Sequence, residues 1–310
     1  MQREDASVVN LSIGDALQKN SKDLESYLKP RDGIILMWPL DYTDTLNTGA
    51  PTKLIQELQT VMKAALSSNA DIHVFTRGVH TVTSAKISHE PASAQGAVLG
   101  YCRAFSREIL PRKIFNTDLC PSGQCDDNIL ANQALTRVLR GGDDEEEISV
   151  RANIQYVSRL ESNKELVAQV RSTPPLQCVP GAAYIVTGGM GGLGLQLAKY
   201  LLTECACDRL ILLGRSANRS SPKLEPIIAI AEEYGAIVEV MQCDVSKEKD
   251  VERVLREVGV SCRGIFHLAG MLSNDNVKDV SWETTQSVLA SKIEGKIYLD
   301  RSMGGEGFCY

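Results

Sequence analysis

The feature that most constrains the fold of this chain is a glycine-rich turn between an apolar run and an amphipathic stretch. The run Tyr184–Thr187 is apolar and rich in β-branched residues, five glycines lie among the next seven residues, and the pattern over Leu195–Leu202 predicts a helix. Leu193, Leu197 and Leu201 are spaced to face a sheet. A side chain in such a turn would keep the backbone away from a pyrophosphate, which the amides at a helix N-terminus can bind. Strand, turn and helix together predict a dinucleotide-binding site.

The glycine spacing fits two fingerprints. Gly189-x-Gly191-x-x-Gly194 is the general dinucleotide pattern, and Thr187-Gly188-x-x-x-Gly192-x-Gly194 is the pattern of short-chain dehydrogenases/reductases. A tight turn without a ligand is the plainer alternative, but the flanking strand and helix favour a site. The residues of this turn that we predict to contact the cofactor are Thr187, Gly188, Gly189, Met190, Gly191, Gly192, Leu193 and Gly194.

The first half of the chain alternates apolar runs with amphipathic stretches and has no glycine fingerprint. Strands are predicted over Gly33–Trp38, Ile72–Thr76 and Lys113–Asn116, with a weaker candidate over Val8–Leu11, and helices over Ser21–Leu28, Pro51–Ser67, Ser93–Leu110 and Asp127–Arg140. Strands and helices that alternate at this spacing form a parallel sheet. The acidic run Asp143–Glu147 is expected to be a solvated loop, with a recruitment surface as the alternative.

A charged stretch and two prolines separate this half from the second. Glu161–Ser172 is charged, and Pro174-Pro175 cannot continue a helix or a central strand. We therefore place the junction here and predict two domains, residues 1–180 and 181–310. The predicted fold class is α/β, with two Rossmann-like parallel-sheet subdomains of which the second is truncated at its C-terminal end.

Composition excludes several classes of function. The 310 residues carry a net charge of −6 with a pI near 5.4, which argues against binding to nucleic acid or to an anionic membrane. No apolar run approaches the roughly 20 residues of a membrane span, and no apolar signal region follows the N-terminus. We expect a cytoplasmic protein, unless a longer parent chain carries a targeting signal. The nine cysteines are expected to be reduced core thiols, and their spacings predict no metal site.

The strand after the glycine turn ends in a basic residue. Enzymes that prefer NAD usually carry an acid at this point, which binds the ribose 2′-hydroxyl. Here the strand Arg209–Gly214 is followed by Arg215 and Ser216. A guanidinium would pair instead with a 2′-phosphate, in a bidentate contact that is always charged. The predicted cofactor is therefore NADPH, with Arg215 and Ser216 among its binding residues.

Several stretches resemble one family. The segments Val74–Gly78, Gln95–Glu108, Glu147–Arg151, Gln155–Leu160 and Val288–Gly295 are similar, in this order, to elements of the ketoreductase domain of modular polyketide synthases and animal-type fatty acid synthases. This domain is a two-part member of the short-chain dehydrogenase/reductase superfamily. The resemblance is specific over about residues 182–299. It implies a first half that binds no cofactor, and a second half that uses NADPH to reduce a β-ketoacyl thioester on an acyl carrier protein, beside neighbouring synthase domains.

The resemblance also assigns roles near the end of the next strand. Asp244 would accept a hydrogen bond from the adenine amino group, while Cys243 and Val245 would pack against the ring. An equal alternative is that Asp244 caps the following helix, although Ser246 is the better candidate for that cap.

Further residues are assigned on the nicotinamide side. Ala269 and Gly270 would lie against that half of the cofactor, and His267 is expected to be a structural hydrogen bonder. Lys292 matches the family's catalytic lysine, whose ammonium would bond the nicotinamide ribose and depress the pKa of a tyrosine acid.

The sequence departs from the family pattern in two places. Members of the B type carry Leu-Asp-Asp after the equivalent of Gly270, whereas this chain has Leu272-Ser273-Asn274, so its stereochemical type is not assigned. The family's catalytic serine and tyrosine have no counterpart after Lys292, and Tyr310 is not a candidate. We therefore expect no useful turnover of β-ketoacyl thioesters by this chain alone, with a non-catalytic cofactor-binding or scaffolding protein as the alternative function.

Overall fold

The computed structural model describes residues 11–19, 21–29, 33–42, 49–82, 93–121, 125–139, 145–152, 154–172, 176–303 and 308–309. The chain divides into two compact units, Met1–Leu160 with Asp275–Trp282, and Glu161–Asn274 with Glu283–Tyr310. This division falls at Leu160, before the predicted junction near Pro180, and Pro174-Pro175 lies outside the described residues. The segment Asp275–Trp282 belongs to the first unit although it comes late in the chain.

In its described part, the first unit has one sheet accompanied by α-helices. Its strands are β1 (Gly33–Leu36), β2 (Asp71–Arg77), β3 (Ile114–Leu119), β4 (Glu147–Arg151) and β5 (Ile154–Tyr156), and its helices are α1 (Ile13–Gln18), α2 (Ser21–Leu28), α3 (Ala50–Ala65), α4 (Ser93–Phe105) and α5 (Asp127–Leu139). The strand order is β1-β2-β3-β4-β5, with the first four strands parallel and β5 antiparallel to β4. The predicted parallel sheet is confirmed, and a hairpin of β4 and β5 closes it. The strand candidate at Val8–Leu11 lies outside the described residues, apart from Leu11.

The spacing of apolar residues explains which faces of these elements are buried. In α3, Leu54, Leu58, Val61 and Ala65 recur on one stripe, and all four are buried. Strand β3 is buried along its whole length because it lies between β2 and β4. Strand β1, at the edge of the sheet, alternates between exposed and buried residues. The core of the unit therefore lies against the middle of its sheet.

The expectation of a solvated loop over the acidic run is wrong for its last residue. Glu147 begins β4, and its carboxylate accepts a hydrogen bond from Arg103 Nε at 2.8 Å and lies 3.0 Å from His80 Nε2. An acidic residue can begin the strand here because two basic side chains meet it. The hydrogen bond from His80, together with Arg103, holds the pKa of the Glu147 carboxyl at about 2 against the opposing effect of burial. Residues 140–144 lie outside the described part of the chain.

Replacing Glu147 with Gln should change how stability depends on pH. Because the folded-state pKa is depressed from 4.5 to about 2, the stabilisation is present above pH 4.5 and is lost as the pH falls toward 2. We expect Glu147→Gln to lower the free energy of unfolding at pH 7 by about 1 kcal/mol, after allowing for solvent screening. Chemical denaturation of both proteins at pH 7, 4.5 and 3 measures the difference, which should shrink at the lowest pH. A difference that stays constant would contradict the assignment.

In its described part, the second unit has an all-parallel sheet. Its strands are β6 (Ala183–Thr187), β7 (Arg209–Gly214), β8 (Ile237–Gln242), β9 (Cys262–His267) and β10 (Phe308–Cys309), and its helices are α6 (Lys164–Ser172), α7 (Gly192–Thr203), α8 (Glu225–Glu233), α9 (Glu248–Val258), α10 (Trp282–Lys292) and α11 (Glu294–Ser302). The strand order is β10-β9-β6-β7-β8. The predicted α/β class with two Rossmann-like parallel-sheet subdomains is confirmed.

Both faces of this second sheet are buried. Along β6, Tyr184 and Val186 pack on the face covered by α7 and α8, and Ala183 and Ile185 pack on the face covered by α9 and α11. Strands buried on both faces read as continuous apolar runs, which is why β6 and β7 could be located from the sequence. No helix in the described ranges is both long enough and apolar enough to cross a membrane.

One cysteine pair corrects the expectation that all the thiols are reduced. Cys120 and Cys125 form a disulfide, with 6.2 Å between their Cα atoms. They lie at the two ends of the short connection between β3 and α5, and such a connection can bring side chains together at a spacing that fits no zinc motif. Six other cysteines are free, and all but Cys262 are buried, as expected of core thiols: Cys102, Cys178, Cys205, Cys207, Cys243 and Cys262.

Candidate cofactor-binding site

The glycine turn lies at the carboxyl edge of the second sheet, where the strand order reverses. Strand β6 has β7 on one side and β9 on the other, so the chain runs outward through β7 and β8 and then returns to the opposite side of β6. In open parallel sheets, ligands bind in the crevice that such a reversal creates at the carboxyl ends of the strands. The turn begins at Gly188, directly after β6, and α7 begins at Gly192.

Three glycines of the turn are required by the packing of the protein itself. Gly188 has a φ of +66°, and a Cβ there would lie 2.9 Å from the carbonyl group of Leu268, just after β9. A Cβ on Gly189 would lie 2.9 Å from Leu212 Cβ on β7, and one on Gly194 would collide with the carbonyl oxygen of Gly188. The turn is therefore held closely against both neighbouring strands.

Gly192 is under a different constraint, because a Cβ there would meet no atom within 4 Å. It is exposed at the start of α7, and the helix has no side-chain cap. Among the described residues, the amides of Gly192, Leu193 and Gly194 donate no hydrogen bond, as expected for the first turn of a helix. Open space in front of free amides at a helix N-terminus suits a phosphate group. These residues therefore fit the pyrophosphate of a dinucleotide.

The expectation that Leu193 faces the sheet is wrong. Its side chain is 78% exposed, and the stripe of α7 that packs on the sheet consists of Gly194, Ala198, Leu201 and Leu202. The contact between Gly194 and the turn sets the rotation of the helix and points Leu193 outward, one position before that stripe. The predicted contact of Leu193 with a cofactor stays a prediction.

The carboxyl end of β7 carries the residues predicted to bind a 2′-phosphate. Arg215 and Ser216 follow Gly214 directly, and both are exposed. The Arg215 carbonyl accepts a hydrogen bond from Gln242 Nε2 at 2.7 Å, and the Gly214 carbonyl accepts one from the Cys243 amide at 3.0 Å. The backbone under Arg215 is thus tied to β8, while its side chain projects into solvent.

Met190 is the turn residue that reaches toward this end of β7. A Cβ on Gly214 would lie 3.7 Å from Met190 Cγ, which puts the thioether side chain beside the end of the strand. The predicted residues of the turn and of the β7 end therefore line one continuous stretch of the sheet edge.

Asp244 does not cap helix α9, which corrects one of the two roles considered for it. Its carboxylate accepts hydrogen bonds from the Ser246 amide at 3.2 Å and the Ser246 hydroxyl at 2.7 Å, and its own amide donates to Asp250 Oδ2 at 3.0 Å. The N-cap of α9 is Lys247, without a side-chain hydrogen bond, so Ser246 is not the cap either. The side chains of Asp244 and Ser246 close a local turn ahead of the helix.

The Asp244 carboxylate is nevertheless available as a charged acceptor. Burial acts to raise its pKa, but the hydrogen bonds from Ser246, together with Lys247 and Arg215, lower the pKa below its usual value. Asp244 is half-buried at the end of β8. Its predicted contact with an adenine amino group stays a prediction that this geometry allows.

Cys243 and Val245 lie in the core rather than on the edge of the sheet. Both are buried in the apolar cluster between the sheet and helices α9 and α11. Burial raises the pKa of the Cys243 thiol to about 11, so the thiol is neutral. Val245 packs on Gly295, where a Cβ would come within 3.1 Å of Val245 Cγ2. The predicted contact of these two residues with adenine would have to be made largely through their backbone.

A chain of hydrogen bonds joins the ends of β6 and β9 to helix α10. The fully buried Thr187 hydroxyl accepts from the Ala269 amide at 3.0 Å and lies 2.8 Å from His267 Nδ1. His267 Nε2 lies 2.8 Å from the Ser291 carbonyl oxygen. Burial, aided by Lys296, lowers the pKa of the His267 imidazole despite the bond to Ser291. His267 is thus a structural hydrogen bonder, as predicted.

Lys292, the predicted catalytic lysine, lies beside Gly270. It is exposed at the C-terminal end of α10, and a Cβ on Gly270 would lie 3.6 Å from Lys292 Cε. Gly270 directly follows Ala269 beyond β9, where the nicotinamide half of a cofactor is predicted to lie. The fold therefore brings the lysine to the predicted nicotinamide side of the crevice, and its catalytic role stays a prediction.

Some residues that hold the site through backbone groups could not be found from residue type. Gln242 contacts the predicted site residue Arg215 through its side-chain amide, and the Leu268 carbonyl lies against the predicted site residue Gly188. The Ser291 carbonyl accepts from His267, which supports the site from behind. Carbonyl groups act whatever the side chain is, so no sequence pattern marks them. In the described ranges, no group of three or more His, Cys, Asp or Glu side chains could hold a metal ion.

The part of the chain that carries this site is similar to a known protein family. The segment 182–306 matches the family model described as the KR domain. This segment is similar to KR, or ketoreductase, domains. KR domains are oxidoreductases of the short-chain dehydrogenase/reductase superfamily that reduce a β-keto group with a nicotinamide cofactor.

Curated relatives are polyketide synthases much longer than this chain. The 6-methylsalicylic acid synthase of Aspergillus niger is 27% identical over 306 residues, which are 93% of this chain and 16% of the synthase. That of Penicillium patulum is 29% identical over 77% of this chain and 14% of the synthase. The 5-methyl-1-naphthoate synthase of Streptomyces sahachiroi is 32% identical over 44% of this chain and 8% of the synthase. The chain thus spans less than a fifth of each of these relatives.

Solved ketoreductases share the fold over nearly the whole chain. A C2-type ketoreductase from a modular polyketide synthase has a TM-score of 0.74 at 21% identity, covering 96% of this chain and 64% of that chain. A-type ketoreductases from a modular polyketide synthase have a TM-score of 0.73 at 20% identity, covering 95% of this chain and 64% of that chain. The common fold therefore extends beyond the KR segment into the first half.

The glycines of the turn should separate into two classes on mutation. Gly194→Ala places a methyl group against backbone atoms, so we expect it to lower the free energy of unfolding by about 2 kcal/mol or more. Gly192→Ala places a methyl group in open space and favours the helix, so its melting temperature should be unchanged or raised. The same methyl group should weaken NADPH binding about tenfold, because it stands where a phosphate would approach. Calorimetry and a fluorescence titration of NADPH measure the two effects; equal destabilisation by both variants would refute the division.

Proposed function

We propose that this chain binds NADPH along the carboxyl edge of its second sheet, as part of a ketoreductase that reduces a β-ketoacyl thioester on an acyl carrier protein. The observation that carries the proposal is the open helix N-terminus at Gly192, held in place by glycines that pack against both neighbouring strands. Bound NADPH would supply the hydride. The match of residues 182–306 to the KR domain model supports the reaction type.

The chain's own residues would divide the work of binding along the crevice. Free amides of the first turn of α7 would hold the pyrophosphate, and Asp244 would accept from the adenine amino group. At the other end, Ala269 and Gly270 present a backbone surface with little side chain in the way, which a flat nicotinamide ring needs. Lys292 would donate from its ammonium to the nearby ribose and favour the charged form of an acid beside it.

Electrostatics at the end of β7 favour NADPH over NADH. No acidic residue follows Gly214 directly, so the acceptor that would bind a ribose 2′-hydroxyl is missing at this position. Arg215 is exposed there, and its charge acts on Asp244, which places it close to the adenine side of the crevice. A guanidinium that forms charge-assisted hydrogen bonds to a 2′-phosphate gains binding energy that NADH does not provide.

The synthase context supports the substrate and the partners of the proposed reaction. The relatives that this chain matches are multidomain synthases, so neighbouring domains would flank it. A β-ketoacyl thioester carries the carbonyl that such a site would reduce, with bound NADPH supplying the hydride and Lys292 on the predicted nicotinamide side. The acyl carrier protein would deliver that thioester, since intermediates in such synthases are tethered.

Arg215→Asp tests the cofactor preference. Loss of charge-assisted hydrogen bonds worth about 1.5–3 kcal/mol should weaken NADPH binding roughly tenfold or more, while NADH binding changes little. Arg219→Asp is a matched control, because Arg219 is equally exposed on the same loop and the charge change is identical. Fluorescence titrations of both cofactors measure the ratio of affinities, which should fall only for Arg215→Asp. Equal losses for NADPH and NADH would show that Arg215 does not bind the 2′-phosphate.

The reaction itself is tested on the longest protein product that contains this chain. With NADPH deuterated at C4 and a β-ketoacyl N-acetylcysteamine thioester, we expect a β-hydroxyacyl product that carries deuterium at its β-carbon. Mass spectrometry of the product measures whether deuterium has been transferred to the β-carbon. Binding of NADPH without any transfer of deuterium would contradict the reductase assignment while leaving the cofactor site intact.

A further inference from the structure

The hydrogen bonds around His267 determine its tautomer. The Ser291 carbonyl oxygen can only accept, so the Nε2 that faces it must carry the proton. In a neutral imidazole Nδ1 is then an acceptor, and the Thr187 hydroxyl donates to it while accepting from the Ala269 amide. Burial of the imidazole favours this neutral form. Each hydrogen bond in this chain therefore has a fixed direction.

The imidazole supplies a donor that helix α10 lacks at its end. The helix ends at Lys292, so the carbonyl groups of its last turn have no amide partners within the helix. His267 donates to one of these groups, on Ser291. The Ser291 hydroxyl, by contrast, has no hydrogen-bond partner among the described residues, so this side chain does not fix the segment. The end of α10 is held to the sheet through its backbone.

The residue after that anchored carbonyl is Lys292. Its Cε lies near Gly270, on the same side of the crevice as Ala269, whose amide donates to the Thr187 hydroxyl. Hydrogen bonds among Thr187, His267, Ser291 and Ala269 therefore connect the start of the glycine turn, the backbone beyond β9 and the residue before the lysine.

We propose that His267 is a positioning residue, which fixes Lys292 beside Gly270 by holding the Ser291 carbonyl and links that position to the glycine turn through Thr187. The inference rests on the proposed function, because it takes Lys292 to be a group that contacts bound NADPH. His267 itself touches neither cofactor nor substrate in this role. What it supplies is a directed hydrogen bond at each ring nitrogen.

Two substitutions of His267 separate its hydrogen bond to Ser291 from its hydrogen bond with Thr187. Gln places its amide nitrogen near the position of the imidazole Nε2, so His267→Gln can keep the bond to Ser291 while losing the acceptor for Thr187. Asn places its amide oxygen near Nδ1, so His267→Asn can keep the bond with Thr187 but does not reach Ser291. We expect His267→Asn to weaken NADPH binding about fivefold and His267→Gln to stay within about twofold of the wild type.

A double-mutant cycle with Lys292→Met shows whether the effect passes through the lysine. In the Lys292→Met background, His267→Asn should change NADPH affinity by less than about twofold, because the group that it positions is gone. A merely structural role would lower the affinity by the same factor in both backgrounds. Additive losses would therefore overturn the inference, and so would an unchanged affinity in Lys292→Met alone.

A measurement without cofactor keeps the test independent of the proposed function. Long-range ¹H–¹⁵N spectra of the protein at pH 7 should show a neutral His267 that is protonated at Nε2. In protein with ¹³C-labelled lysine, the Lys292 Cε signal should move in His267→Asn and stay in place in His267→Gln, at equal melting temperatures. The Nδ1 tautomer, an imidazolium, or a Lys292 signal that is indifferent to His267→Asn would overturn the inference. Failure of the wild type to bind NADPH, with these signals as expected, would instead count against the proposed function alone.

Discussion

Close packing of the glycine turn between two strands is the constraint on which the second unit depends. Gly188 touches the backbone beyond β9, Gly189 touches β7, and Gly194 touches the turn itself, each at distances that no Cβ would permit. This packing aims the N-terminus of α7 at the carboxyl edge of the sheet. It also brings Ala269 within reach of the Thr187 hydroxyl and so connects the turn to the end of α10. The position of the crevice and of its polar groups therefore depends on the close packing of this glycine turn.

In the first unit, a buried side chain of the protein itself occupies the carboxyl edge of a similar sheet. At the end of β2, the amides of Val79 and His80 donate to the Asp118 carboxylate at 2.9 and 3.0 Å. The same carboxylate accepts from the Thr76 hydroxyl and pairs with Arg151 at 2.6 Å. Amides that could bind an anionic ligand are therefore satisfied by a buried side chain. The expectation that the first half binds no cofactor stays a prediction.

Sequence alone predicted the elements whose signals are local. Strands β6 and β7 are apolar runs, and the glycine turn between β6 and α7 carries its own spacing, so the parallel sheet could be predicted. The rotation of α7, which points Leu193 outward, could not be predicted from the sequence, because it depends on the contact between Gly194 and Gly188. The unused N-cap at Ser246 and the bond from His267 to Ser291 also depend on partners that only the folded chain supplies.

Glycine-selective ¹⁵N labelling with titration of NADPH tests the central claim most directly, because 24 glycines are distributed over both halves of the chain. We predict that the amide signals of Gly191, Gly192 and Gly270 shift on binding, while those of first-unit glycines such as Gly78 and Gly96 stay in place. Larger shifts at Gly78 or Gly96 than in the turn would contradict this claim, and so would saturable binding that leaves the turn unchanged.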